Sequence, residues 1–201
     1  MLNRDIDACS GPSRTFNFLL LIIIILGAGV RLSYYNSLCS DPLPTAVSAT
    51  SIMDQHRFIE LAKEFSSGQW LGTTVTFYSP AYSYFIAVIF KLFGQNMYYV
   101  FFIQFLIGAL APLLYYKTAT LLFDNRKIGL ISALIGALYS PMLFFEGALL
   151  RAFPIAFLNL LSFYLLLVAI KSALSYQRDW WILRKNLTPT RKTPLDTWPI
   201  T

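Results

Sequence analysis

Long apolar stretches separated by short polar ones set the pattern of this chain. The first is TFNFLLLIIIILGAGVRLSYY, residues 15–35. Three more follow: MYYVFFIQFLIGALAPLLYYKTATLLF (97–123), IGLISALIGALYSPMLFF (128–145) and AFPIAFLNLLSFYLLLVAI (152–170). Each is near or above the roughly 20 residues that a helix needs to cross a hydrocarbon core of about 30 Å. None has the strict alternation of a half-buried strand. The pattern predicts four membrane-spanning helices. The first run is too long for a signal-peptide core and is followed by a poor cleavage site, LSYYNSLCS, so it reads as an uncleaved span. A fifth run, SPAYSYFIAVIFKLFG (79–94), is short for a span and contains Lys91.

Between the first span and this fifth run the chain is polar, and its densest mixed charge lies in SIMDQHRFIELAKEFSSGQW (51–70). Phe58, Leu61, Ala62 and Phe65 recur at i, i+3, i+4 and i+7, which predicts an amphipathic helix over residues 52–67. Ser51 followed three residues later by Asp54 has the spacing of a capping box, and Gly68 supplies a stop. Arg57, Glu60, Lys63 and Glu64 fall towards the other face, as on a helix lying on a membrane surface. Asp54 stands apart, at the N-terminal end of the apolar stripe, where a carboxylate needs a cap, a partner or a chemical role. Within the spans, Gly129, Ala133, Gly136 and Ser140 form a small-residue stripe suited to helix packing. Pro112 predicts a kink in the second span, and Gln104 and Asn159 read as interhelical hydrogen-bonding residues.

Composition strengthens the membrane reading. Of 201 residues, 56% are hydrophobic and 13% charged, with a mean hydropathy of +0.56; a soluble domain needs more charge to cover its surface. The formal charge of +6 comes from short loops and the tail, so it sets orientation and does not point to nucleic acid. If residues 79–94 lie in the interface, the N-terminus (1–14), the DNRK turn (124–127) and the tail from Lys171 all fall on the cytoplasmic side. Residues 36–78 and the EGALLR turn (146–151) are then outside. The expected fold is an all-α integral membrane protein with about four spans, two juxtamembrane helices (52–67 and 79–94) and both termini cytoplasmic. Residues 173–201 read as a polar cytoplasmic tail or as translation out of frame. Cys9 and Cys39 flank the first span and so cannot pair, and a single histidine, His56, builds no His-based metal site.

Taken in order, DQHRFIELAKEFSSGQW, YSPAYSYFIAVIFKLFGQN and IQFLIGALAPLLYYKTATLLFDNRKIGLISALIGALYSPMLFFEGALLRAFPIAFL resemble the N-terminal part of the GT-C integral-membrane glycosyltransferases. The nearest group is the bacterial family 39 type, related to protein O-mannosyltransferases and lipid A aminoarabinose transferases. The resemblance covers roughly residues 16–172 and rests on the order of individually weak motifs. It implies inverting transfer of a sugar from a polyprenyl-phosphate donor, on the outer face of the cytoplasmic membrane, to a lipid, glycan or protein acceptor. It makes Asp54, the acid of the first outside loop, the general base or the group that orients the acceptor, with Glu146 of the second outside turn as a further catalytic candidate. Arg151 becomes a candidate for phosphate or acceptor contact, since the leaving phosphate needs a cation or, in some relatives, a divalent metal. His56 and Arg57, within a turn of Asp54, and Tyr82, whose aromatic face suits an acceptor groove, complete the substrate-binding candidates. Glu146 and Arg151 also fit a helix-end salt bridge, His56 an ordinary interfacial histidine, and Tyr82 an aromatic belt. Arg31 fits either snorkelling or a wet cleft. Relatives have at least seven spans, so the resemblance implies a fragment, and a small non-enzymatic membrane scaffold is the alternative.

Overall fold

The computed structural model describes residues 13–41, 54–70 and 80–187, and these are helical with short turns. Helix α1 (Ser13–Ser40) is followed by α2 (Asp54–Ser66), α3 (Pro80–Phe93), α4 (Met97–Gly108) and α5 (Ala111–Phe123). Helices α6 (Arg126–Leu138), α7 (Ser140–Glu146) and α8 (Ala152–Leu187) complete the order. The chain divides into two compact units, one ending at Tyr164 and one beginning at Leu165. In the second unit α8 continues to Leu187 and exposes Leu165, Leu166, Ile170 and Leu174, as a lipid-facing surface does. The helix therefore runs well past residue 170 into the segment that composition assigned to a polar tail. Residues 188–201 lie outside the described residues.

Helix α1 and the α4–α5 stretch Met97–Phe123 are each long and apolar enough to cross a membrane, as is Ala152–Gln177 of α8. Helices α6 and α7 qualify together as a fourth, broken span, bent by 50°. The break has a local cause. Tyr139 is extended (φ −66°, ψ 100°), and Pro141 in the first turn of α7 has no N–H to continue the α6 ladder. Pro112 likewise sits in the first turn of α5, just after α4 ends at Gly108. Between α5 and α6 the chain reverses through Asp124, in the left-handed region at φ 50°, and Asn125, whose side chain accepts from the Lys127 N–H at 2.9 Å. The small-residue stripe then lets the two helices meet closely. A Cβ on Gly129 would overlap Thr120, and one on Gly136 would overlap the Tyr115 ring.

The main apolar cluster lies at one end of this bundle. Phe58, Ile59, Ala62 and Phe65 of α2 pack with Tyr82, Ile86, Ala87, Ile89 and Phe90 of α3 and with Val100, Phe101 and Phe105 of α4. Tyr34, Tyr35 and Leu38 near the end of α1 and Leu149 after α7 close it. The end of α1 and the beginning of α4 thus meet the same cluster, so the chain reaches α3 and leaves it at one end of the bundle. Helix α3, with 14 residues, is only about 21 Å long, short of the roughly 30 Å core. Positive φ angles at Gly68 (111°) and Gly94 (95°) end α2 and α3 in the way that glycine allows. The stripe of α2 differs in one position from its periodicity: Ile59 is buried and Leu61 is only half-buried. Packing against α3 and α4 together widens the covered face towards Ile59.

Candidate functional site

Asp54 is the first residue of α2 and is exposed. An acid in the first helical turn complements the exposed N–H groups there. Two turns of α2 carry the neighbouring charges. His56 Nε2 lies 3.0 Å from Glu60 Oε1, and Arg57 Nη1 donates to Glu60 Oε2 at 3.4 Å. These are i,i+4 and i,i+3 pairs at the helix surface, His56 half-buried and Arg57 and Glu60 exposed, worth about 0.2–0.5 kcal/mol in isolated helices. They draw His56 and Arg57 towards Glu60 on the outward face of the helix. Arg151, beside the second turn, is also exposed, only two residues from the clustered Leu149. Asp54 thus opens the helix that gives Phe58 and Ile59 to the cluster, and Arg151 follows Leu149, which enters the same cluster.

Tyr82 was expected to offer its ring to an acceptor, but the structure places it in the core at 4% exposure. Its ring meets Phe58 edge-on at 5.2 Å, and its hydroxyl accepts from Gln104 Nε2 at 3.0 Å. The reason is its register: position 82 shares the inward face of α3 with Ile86 and Ile89. Burial pushes the Tyr82 phenol well above its ordinary value, against a smaller lowering by the Gln104 bond. Tyr82 thus stays neutral and acts as a tie between α3 and α4. The aromatics nearer the surface are Tyr84 and Trp70, the first of which stacks on the buried Phe65. Phe65 and Tyr84 stack at 4.4 Å, Trp70 lies parallel to Tyr84 at 6.2 Å, and Lys91 Nζ sits 5.0 Å over the Trp70 ring. Nothing in the spacing of Trp70 and Tyr84 signalled this stack, because it joins the segment after α2 to the next helix.

Glu146, paired with Asp54 as a catalytic candidate on the sequence, ends α7 with no exposed surface. Its partner is Arg31 of α1, itself 2% exposed. Arg31 Nε donates to Oε2 at 2.8 Å and Nη2 to Oε1 at 2.7 Å, the two parallel bonds of a bidentate pair. Nη1 donates to the carbonyls of Gly27 at 3.2 Å and Ala137 at 3.3 Å. Arg31 therefore turns inwards and neither snorkels nor faces a wet cleft. Its partner was legible in principle: an intramembrane cation calls for a carboxylate, and Glu146 directly follows the acid-free apolar run 128–145. Arg151 takes no part in this pair. Cys39 is a free, exposed thiol in the last turn of α1, and Cys9 lies outside the described residues. Among the described residues no three His, Cys, Asp or Glu side chains come together, so a divalent cation finds no ready ligand set in them.

No curated protein and no solved structure matches the chain. A family profile does: the one described as dolichyl-phosphate-mannose-protein mannosyltransferase matches residues 78–185, more than half of the sequence. The match takes in α3 to α8, with Glu146 and Arg151, and begins after α2 with Asp54. An all-helical, multi-pass membrane architecture agrees with it. On the matched segment and the spans that it contains, the chain belongs to the dolichyl-phosphate-mannose-protein mannosyltransferase family, membrane glycosyltransferases of the GT-C type.

Proposed function

We propose that the chain serves transfer of a sugar from a polyprenyl-phosphate donor to a hydroxyl of a lipid, glycan or protein acceptor at the outer face of the cytoplasmic membrane. In this reading Asp54 takes the proton of the acceptor hydroxyl as its oxygen attacks the anomeric carbon. The bond from that carbon to the phosphate oxygen breaks, and the electron pair leaves with the phosphate. The sugar carbon is inverted. Arg151 stabilises the charge that develops on the phosphate, and Arg57 and His56 border the acceptor side. The orientation follows from charge. Arg126 and Lys127 in the α5–α6 turn, together with Lys171, belong to the cytoplasmic side, which puts α2, α3 and the α7–α8 turn outside.

The observation that carries the proposal is the exposure of Asp54 and Arg151 on segments that enter one apolar cluster at one end of the bundle. A proton acceptor and a phosphate-binding cation both need access to substrates, and these two have it. The test is transfer of radiolabelled mannose from polyprenyl-phosphate mannose by membranes that contain the whole chain. Loss of the base should lower the rate of Asp54→Asn by about 10²-fold or more, whereas Glu60→Gln, with a surface carboxylate, should stay within threefold. Transfer by Asp54→Asn at the unsubstituted rate would refute the base assignment.

A further inference from the structure

We infer that Arg31 and Glu146 form an interdependent pair of positioning residues, which hold the turn from Gly147 to Arg151 against the cluster under the Asp54 helix. The inference rests on the proposed function for its link to catalysis, but its geometry stands apart from it. Each charge sits in an apolar span, where an ionisable group needs a partner, and the bidentate bonds at 2.7 and 2.8 Å supply one across 115 residues of sequence.

A third bond gives the pair its place. Pro141 stands four residues after Ala137 and has no N–H, so the Ala137 carbonyl lacks its helical donor. Arg31 Nη1 provides that donor at 3.3 Å. One side chain therefore satisfies the break between α6 and α7 and also neutralises the carboxylate that follows it. The surroundings are built for this arrangement. A Cβ on Gly108 would overlap the Glu146 carboxylate, and one on Gly27 would come within 3.4 Å of Arg31 Nη1 and 3.2 Å of the Ala137 Cβ. Beside Arg31 lies an apolar cavity of about 220 Å³ between Leu32 and Tyr35 of α1 and Phe102, Phe105 and Leu106 of α4. It offers the guanidinium no second carboxylate.

The turn follows directly from the anchor. Gly147 passes under Tyr34 and Leu38, so closely that a Cβ would overlap the Tyr34 ring. Ala148 is 8% exposed, and Leu149, at 1%, enters the cluster with Phe58 and Ile59 of α2. Arg151 emerges two residues later. With both carboxylate oxygens bound by Arg31, Glu146 acts on the site through this turn and not on a substrate.

The test uses the whole chain with Cys9→Ser and Cys39→Ser, and a reporter thiol at Ala148→Cys. It is read by aqueous maleimide labelling, by the amount of monodisperse protein in mild detergent and by sugar transfer. In the parent the reporter should label slowly. Arg31→Gln and Glu146→Gln should each raise labelling at least tenfold and lower both yield and transfer. The double variant Arg31→Gln, Glu146→Gln should bring labelling back to within about threefold of the parent and recover most of the transfer, because no unpaired charge remains. Singles that label like the parent would overturn the inference. So would a double variant that is folded and protected yet transfers no better than Glu146→Gln, since the carboxylate itself would then be chemical. If the parent transfers no sugar, the proposed function fails, while labelling and yield still decide the pair.

Discussion

Adding one methyl group at Gly108 puts the buried pair under direct load. A Cβ there would lie 2.5 Å from both Glu146 oxygens, a separation that real contacts do not tolerate. A flexible side chain would swing away, but both oxygens are fixed by Arg31 at 2.7 and 2.8 Å. The methyl therefore overpacks the site, at a cost of about 1–3 kcal/mol, while glycine replacement inside a helix returns about 0.5–1 kcal/mol. The balance spans about 0–2.5 kcal/mol and centres on about 1.2 kcal/mol of destabilisation, or about 2–5 °C in the unfolding midpoint of a chain this size. Gly29→Ala is the control, because a Cβ there meets nothing within 4 Å, so only the helical gain applies. Thermal unfolding of the two purified variants in the same detergent compares them, and Gly108→Ala should melt below the parent and Gly29→Ala at or above it. In an Arg31→Met, Glu146→Ala background, with no carboxylate to strike, Gly108→Ala should cost less than about 0.5 kcal/mol, and its difference from the cost in the parent is the coupling expected of touching residues. Equal midpoints for Gly108→Ala and Gly29→Ala would refute the close approach of Gly108 to Glu146.

Two other predictions address the bundle end. Tyr82→Phe removes the acceptor of the buried Gln104 Nε2, whose Oε1 already has no bonding partner; it should cost about 1–3 kcal/mol, and Tyr82→Phe with Gln104→Leu should recover much of that in the same unfolding assay. Recovery absent in the pair would show that the loss is one of packing and not of an orphaned amide. Cys39, exposed at the end of α1, should react with an impermeant maleimide in intact cells carrying Cys9→Ser, whereas labelling only after permeabilisation would reverse the proposed orientation.

Hydrophobic runs, Pro and Gly punctuation and the amphipathic period of α2 are local properties, and they made the helical membrane class readable from the sequence alone. The ordered motifs likewise carried the glycosyltransferase resemblance that the family match shows. The same reasoning singled out Phe58, Ala62 and Phe65 as an inward stripe, because a 3.6-residue repeat fixes which side chains share a face. It could not place Ile59 inside, since that depended on α3 and α4 covering a wider face of α2. Tyr82 read as an acceptor-groove or aromatic-belt residue, and only the roll of α3 about its axis, settled by its neighbours, puts it in the core. Arg31 and Glu146 lie 115 residues apart, and each read as a charge near a helix end. Only the crossing of α1 with the broken α6–α7 span brings the guanidinium to the carboxylate and to the carbonyl that Pro141 leaves without a donor. Local pattern decides which helices form and what they face in general, solvent or oil; which side chain meets which is decided by packing, where distance along the chain has no meaning.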